Sequence, residues 1–240
     1  MGTGPTLVLV HSPLVGPSTW QPVAADLNAR GYPVVVPTLT AMADASPPYY
    51  RWLADAARDA IGPVDRHDRV ILVGHSGAGA LLPVIGEGLE GKATGAVFVD
   101  AILPHPGASW FASAPAARAG QLRGLAKDGR LPPWHRWFPP EVVQALLPEE
   151  QMRARFVAEL RELPLAYFDE PAPVVAGWSP PRCGYLQLSD AYAREAAEAE
   201  RRGWTAVREP ADHLALLTQP ARVGVLLDRM VKVLLASGRP

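Results

Sequence analysis

The sequence predicts an α/β fold: a mostly parallel sheet of about six strands, flanked by helices and interrupted by a helical insertion. Three observations lead there. Short apolar runs alternate with helix-like segments through the first half, the rhythm of a parallel sheet with covering helices. The runs Leu7-Val8-Leu9-Val10 and Val34-Val35-Val36 lack polar alternation, as strands buried on both faces do. From Leu103 to about Trp178 the rhythm stops, prolines recur, and Trp110, Trp134, Trp137, Phe138 and Phe156 accumulate. With 240 residues and 48% hydrophobic content, the chain is expected to form one domain, 1–240, around a sizeable core.

In chain order, strands are expected at 6–11, 33–36, 69–74 and 94–100, with helices at 18–30, 48–61 and 76–88 between them. The segment 103–178 reads as a lid of short helices in place of strands, mobile and closing over an apolar pocket. Its clearest helix opens at Pro148-Glu149-Glu150, where proline and acids suit a first turn, and runs toward Leu160 and Leu163. Its aromatics are expected to serve both as core and as substrate wall. The α/β rhythm then resumes with strand 184–188, helix 190–202, strand 204–208 and a last helix at 215–236.

Composition narrows the function classes. Net charge is −1, from 23 basic and 24 acidic side chains spread along the chain, so no patch calls for nucleic acid or an anionic membrane. Cys183 is the only cysteine, which excludes an internal disulfide and fits a reducing, cytoplasmic setting. An apolar strand begins at Thr6, leaving no room for a signal peptide, and no apolar run reaches membrane-spanning length. The expected partner is a small-molecule substrate, and the oligomeric state, monomer or homodimer, is left open.

The chemistry is concentrated in Gly74-His75-Ser76-Gly77-Ala78, directly after Val70-Ile71-Leu72-Val73. A serine on a tight strand-to-helix turn, with small residues two before and two after it, forms a nucleophile elbow, and Ala78 stands where the strict pattern has glycine. A serine hydroxyl needs a base, and the base needs an orienting acid. His213, in the loop after the last strand, meets the first requirement. Asp190, just past strand 184–188, is the expected acid because it precedes the histidine by one helix and one strand; it also suits a helix N-cap. Asp100, ending the strand Ala96-Val97-Phe98-Val99, is the competitor, whereas Asp212 is too close to His213 in sequence to share a hydrogen bond with it. An oxyanion hole needs the Gly77 amide and a second one from His11-Ser12-Pro13-Leu14, but Pro13 has no N–H. Leu14 N–H and the Ser12 hydroxyl are the substitutes. His11 is expected to pack beneath this loop, His75 to be the variable elbow position, His67 to lie in a surface turn, and His105 and His135 to lie in the lid. None has metal-ligand spacing.

Elbow, late histidine and inserted segment in this order resemble the α/β-hydrolase superfamily over nearly the whole chain, most of all its small members typified by plant methyl esterases and hydroxynitrile lyases. His11-Ser12 followed by Trp20 is similar to their opening loop, and Ala96-Val97-Phe98-Val99-Asp100-Ala101-Ile102-Leu103-Pro104 to the start of their lid. The resemblance implies the α/β-hydrolase fold, a triad of Ser76, Asp190 and His213, and no cofactor. Three functions are open on this reading. One is a serine hydrolase of a small, largely apolar ester, thioester or lactone. The second is a lyase, cyclase or decarboxylase-like enzyme of secondary metabolism using His213 as base. The third is a binding protein on the same fold.

Overall fold

A computed structural model describes residues 4–63, 69–178 and 182–236. β1 (Thr6–Val10), α1 (Gln21–Ala29), β2 (Val34–Val35), α2 (Tyr49–Ile61), β3 (Val70–His75), α3 (Leu82–Glu87) and β4 (Ala93–Val99) follow one another in the first half. An insertion then contributes α4 (Trp110–Ser113), α5 (Ala116–Leu125), β5 (Arg130–Leu131), α6 (Pro140–Leu146), α7 (Glu150–Glu159), β6 (Leu163–Pro164) and α8 (Leu165–Asp169). The chain closes with β7 (Cys183–Gln187), α9 (Ala193–Arg201), β8 (Thr205–Arg208), α10 (Ala215–Thr218) and α11 (Pro220–Ala236). The six-stranded sheet has the order β2-β1-β3-β4-β7-β8, and every neighbouring pair is parallel.

The unalternating runs are buried on both sides because each sheet face has its own core. Val8, Val10, Leu72, Ala96 and Phe98 pack on one face with Tyr50, Leu53, Ala54 and Ala57 of α2. Their i, i+3, i+4, i+7 spacing is one stripe of a helix. Leu7, Leu9, Ile71, Val73, Val97 and Val99 point to the other face, against Val23 and Leu27 of α1 and Val223, Leu227, Met230 and Val231 of α11. Each aliphatic side chain buried this way contributes roughly 1.5–3 kcal/mol relative to exposure.

Prolines account for two differences from the expected helices. The helix expected over 76–88 begins as a 3-10 stretch, Ser76–Leu81, and becomes α-helical only at α3, whose first turn holds Pro83. A proline there has no N–H to give the preceding turn, so it suits a helix start and not a helix interior. The helix expected over 215–236 is split between α10 and α11 by Pro220, which forces Gln219 out of the helical region to φ −136°, ψ 48°. Within the insertion, β5 and β6 form a short antiparallel pair where only helices were expected. Two-residue strands are too short to carry a periodic signal. α7 does open at the expected place, with the Glu149 carboxylate accepting from the amides of Gln151 and Met152, both at 3.1 Å.

Two glutamates help to tie the insertion to the body. Ser18 N–H donates to Glu159 Oε2 at 3.0 Å, next to a cluster in which Phe156 and Leu160 pack on Val15, Leu214 and Leu217. Glu170 accepts from the Tyr49 and Tyr50 amides at 2.8 and 3.0 Å, supplying acceptors to the open N-terminus of α2.

Candidate active site

The carboxyl ends of the parallel strands lie along one edge, where ligands bind in open α/β sheets. Ser76 leaves β3 there with φ +57°, a left-handed backbone that costs an L-residue about 1–3 kcal/mol unless its surroundings enforce it. They do. Ser76 N–H donates to Asp100 O at 3.2 Å and Ile102 N–H donates to Ser76 O at 3.1 Å, so the chain leaving β4 clamps the turn from both sides. A Cβ on Gly74 would lie 3.1 Å from a Leu82 methyl, and one on Gly79 would lie 1.9 Å from the Ile102 carbonyl oxygen. Ala78, where the strict pattern has glycine, is fully buried in the core.

His213 Nδ1–H donates to Asp100 Oδ2 at 2.9 Å. Asp100 is fully buried and also accepts from Leu188 N, Ser189 N and Ser189 Oγ at 2.8, 3.0 and 2.6 Å. Burial by itself would raise this carboxyl's pKa, but the hydrogen bond and charge of His213, together with the Ser189 donors, outweigh it and hold the group below the ordinary carboxylate value. Asp190, the expected acid, is not brought to His213. It is exposed and opens a 3-10 turn, Asp190–Tyr192, whose N-cap is Ser189, so it is not the N-capping residue either. The reason is the turn after β7: Leu188 and Ser189 point their donors at Asp100, and the chain carries Asp190 outward. The pairing of strands favours Asp100. The β3–β4 register pairs His75 with Val99, which places the next residues, Ser76 and Asp100, side by side.

Two residues around His213 went unrecognised in the sequence. His75 is almost fully buried, donates through Nε2 to His213 O at 3.0 Å, and lies against the His213 ring with centroids 4.5 Å apart. Burial, and then the neighbouring His213, lower its pKa to about 3, so it stays neutral. Tyr192 stacks on the His213 imidazole, with ring centroids 5.1 Å apart and planes within 11°. Its hydroxyl is 3.2 Å from Ser76 Oγ.

In the loop after β1, His11 Nδ1–H donates to Ser12 O at 2.8 Å and its Nε2 accepts from Leu39 N at 3.1 Å. Burial lowers its pKa to about 4. Leu14 N–H, one of the expected oxyanion donors, is instead turned onto Ser12 Oγ at 3.3 Å, because Pro13 makes the loop fold back on itself. The Ser12 hydroxyl faces Gly77: a Cβ built there would lie 2.9 Å from Ser12 Oγ.

The remaining candidates are peripheral. His105 interacts with Leu103 O and the Tyr50 hydroxyl, both at 3.3 Å, and His67 lies outside the described residues. Burial pushes the Cys183 thiol up to about 12, which suppresses its thiolate. A cavity of about 580 Å³ lies on the insertion, lined by residues that include His135, Phe138, Val143, Arg153 and Val157, and Ser76, Asp100 and His213 do not line it. Among the described residues no cluster of His, Cys, Asp and Glu could hold a metal, and no helix is long and apolar enough to cross a membrane.

A sequence model of the alpha/beta hydrolase family matches residues 7–224, taking in the elbow and His213. The chain belongs to the alpha/beta hydrolase family. No curated protein sequence matches this hydrolase, but solved structures do. An extracellular alpha/beta-hydrolase from a Paenibacillus species, described as sharing homology with tobacco salicylic acid binding protein 2, superposes with a TM-score of 0.74 at 18% identity, over 94% of this chain and 98% of that one. Tomato methylketone synthase I, in complex with beta-ketoheptanoate, gives 0.73 at 17% identity, over 97% and 99%. Polyneuridine aldehyde esterase gives 0.73 at 17% identity, over 99% and 100%. At these identities the likeness establishes the fold.

Proposed function

We propose that this alpha/beta hydrolase is a serine esterase for a small, largely apolar ester, thioester or lactone, with Ser76 as nucleophile, His213 as base and Asp100 as the orienting acid. The observation that carries this reading is the 2.9 Å contact between His213 Nδ1 and buried Asp100, beside a serine held at φ +57°. Asp100 fixes the imidazole tautomer with its proton on Nδ1, leaving Nε2 free to take the Ser76 proton as Oγ attacks the acyl carbon. Charge moves onto the carbonyl oxygen, which the Gly77 amide and the Ser12 hydroxyl receive, the hydroxyl replacing the N–H that Pro13 lacks. His213 then gives the proton to the departing oxygen, and water repeats the sequence on the acyl-enzyme. The insertion acts as the lid of this site. Trp110, Trp134 and Phe138 of the insertion are only partly buried against the core, apolar surface of the kind that suits uncharged acyl groups.

A panel of 4-nitrophenyl, alkyl, thio and lactone substrates of varied acyl length tests the reading. Turnover that falls by about 10⁴-fold or more in both Ser76→Ala and His213→Ala, and no further in the double variant, is expected of residues acting as a unit. Turnover unchanged in Ser76→Ala contradicts it. A proton-transfer enzyme with His213 as base is the second reading, favoured by the missing amide at Pro13. Feeble hydrolysis of every ester together with His213-dependent, Ser76-independent conversion of a β-keto acid would put it first.

A further inference from the structure

We propose that Tyr192 is a catalytic residue that hydrogen-bonds the leaving-group oxygen, resting on the serine-esterase reading above. The placement follows from the sheet. β1 flanks β3 on one side, while β4, β7 and β8 lie on the other. Ser12 and the oxyanion donors therefore approach Ser76 from the β1 side, and His213 and Tyr192 from the β7 and β8 side. In a tetrahedral adduct on Ser76 Oγ the carbonyl oxygen occupies the donor side, and the departing oxygen faces the histidine that must protonate it. The Tyr192 hydroxyl, 3.2 Å from Ser76 Oγ on a ring stacked against His213, is on that second side.

The position is built and not incidental. Tyr192 N–H donates to Ser189 O at 3.2 Å, and Ser189 gives both its amide and its hydroxyl to Asp100. The carboxylate that orients His213 thus also fixes the turn carrying Tyr192. Burial is the main cause raising the phenol's pKa, the nearby Asp100 charge adds to it, and the Ser76 hydrogen bond only partly offsets them. The group stays protonated through the neutral range and can donate. In the free enzyme its partner is Ser76 Oγ. As the adduct collapses, the carbon–oxygen bond to the leaving group breaks, its electron pair goes to the departing oxygen, and the proton comes from His213 Nε2. Tyr192 keeps its own proton and shares it as a hydrogen bond to that same oxygen.

Such a donor matters in proportion to the charge the leaving group builds up. An ethoxide leaving group needs it; 4-nitrophenolate, which spreads its charge over the ring, needs it far less. Tyr192→Phe keeps the ring on His213 and deletes only the hydroxyl. Its kcat/KM on the ethyl ester of an accepted acyl group is expected to fall about 10- to 100-fold, and on the matching 4-nitrophenyl ester less than about threefold. Fluorophosphonate labelling of Ser76, which expels fluoride, is expected to stay within about threefold of wild type and so shows the variant folded with its nucleophile intact. Equal losses on the two esters, no loss on either, or labelling that collapses with the hydroxyl each overturn the proposal while leaving the esterase reading standing. A wild-type enzyme with no Ser76-dependent hydrolysis of either ester removes that reading and the proposal with it.

Discussion

Asp100 does two jobs with one carboxylate: Oδ2 holds His213 Nδ1, and Oδ1 accepts the amides of Leu188 and Ser189. Asp100→Asn is therefore expected to lower turnover by about 10⁴-fold through the wrong imidazole tautomer, whereas Asp190→Asn on the exposed turn changes it less than about threefold. Steady-state kinetics of the two variants separate them. Chain order alone favoured Asp190, since the aspartate and the histidine sit one helix and one strand apart; the side-by-side register of β3 and β4, which decides for Asp100, is a contact between strands and is not written in the spacing. Single residues also set the response to pH. His11 is buried with its pKa lowered to about 4, and His75 with its pKa at about 3, each from 6.5. Between those values and 6.5 the unfolded chain binds more protons than the folded one, so stability is complete above about 6.5 and is lost as pH falls toward 4, by a few kcal/mol per histidine at most. Asp100, lowered from 3.8, acts in the same direction at still lower pH. Thermal melts from pH 7.5 to 4.5 are expected to show a steadily falling midpoint; a flat one would mean that these histidines are hydrated.

The elbow owes its shape to the close approach of the 3-10 stretch Ser76–Leu81 to the chain leaving β4. Gly79→Ala would drive a methyl into the Ile102 carbonyl and is expected to destabilise by about 2–3 kcal/mol. Gly120→Ala on α5 meets nothing within 4 Å and is expected to be neutral or stabilising by up to about 1 kcal/mol. Urea titrations of the two variants give this comparison, and equal midpoints would contradict the packing. The loop after β1 carries the matching functional expectation: Ser12→Ala lowers kcat about 100-fold or more, with KM little changed, if its hydroxyl is the second oxyanion donor. Unchanged kcat would return the role to an amide. Strand and helix positions were legible because both cores impose periodic burial. The breaks at Pro83 and Pro220 and the pair β5–β6 were not, since each hangs on one or two residues. The direction of the Leu14 amide and the place of Tyr192 depend on how loops fold back, which periodicity does not encode.

At the scale of the molecule, the parallel sheet delivers Ser76 from β3, Asp100 from β4 and His213 from beyond β8 to one edge, across 137 positions of sequence. The alpha/beta hydrolase fold was legible as a whole because elbow, insertion and late histidine keep their order whichever strand supplies the acid. The insertion's attachments through Glu159 and Glu170 were not, because a glutamate gives no sign in sequence of which distant amide it will meet. The measurement that bears most directly on the triad is the rate at which a fluorophosphonate forms a covalent adduct, followed by mass spectrometry with the modified peptide identified. One adduct on the Ser76 peptide is expected, forming at near wild-type rate in Asp190→Asn, at least about 100-fold more slowly in Asp100→Asn, and not at all in Ser76→Ala. An adduct that persists in Ser76→Ala, or one slowed by Asp190→Asn and not by Asp100→Asn, would contradict a triad of Ser76, His213 and Asp100.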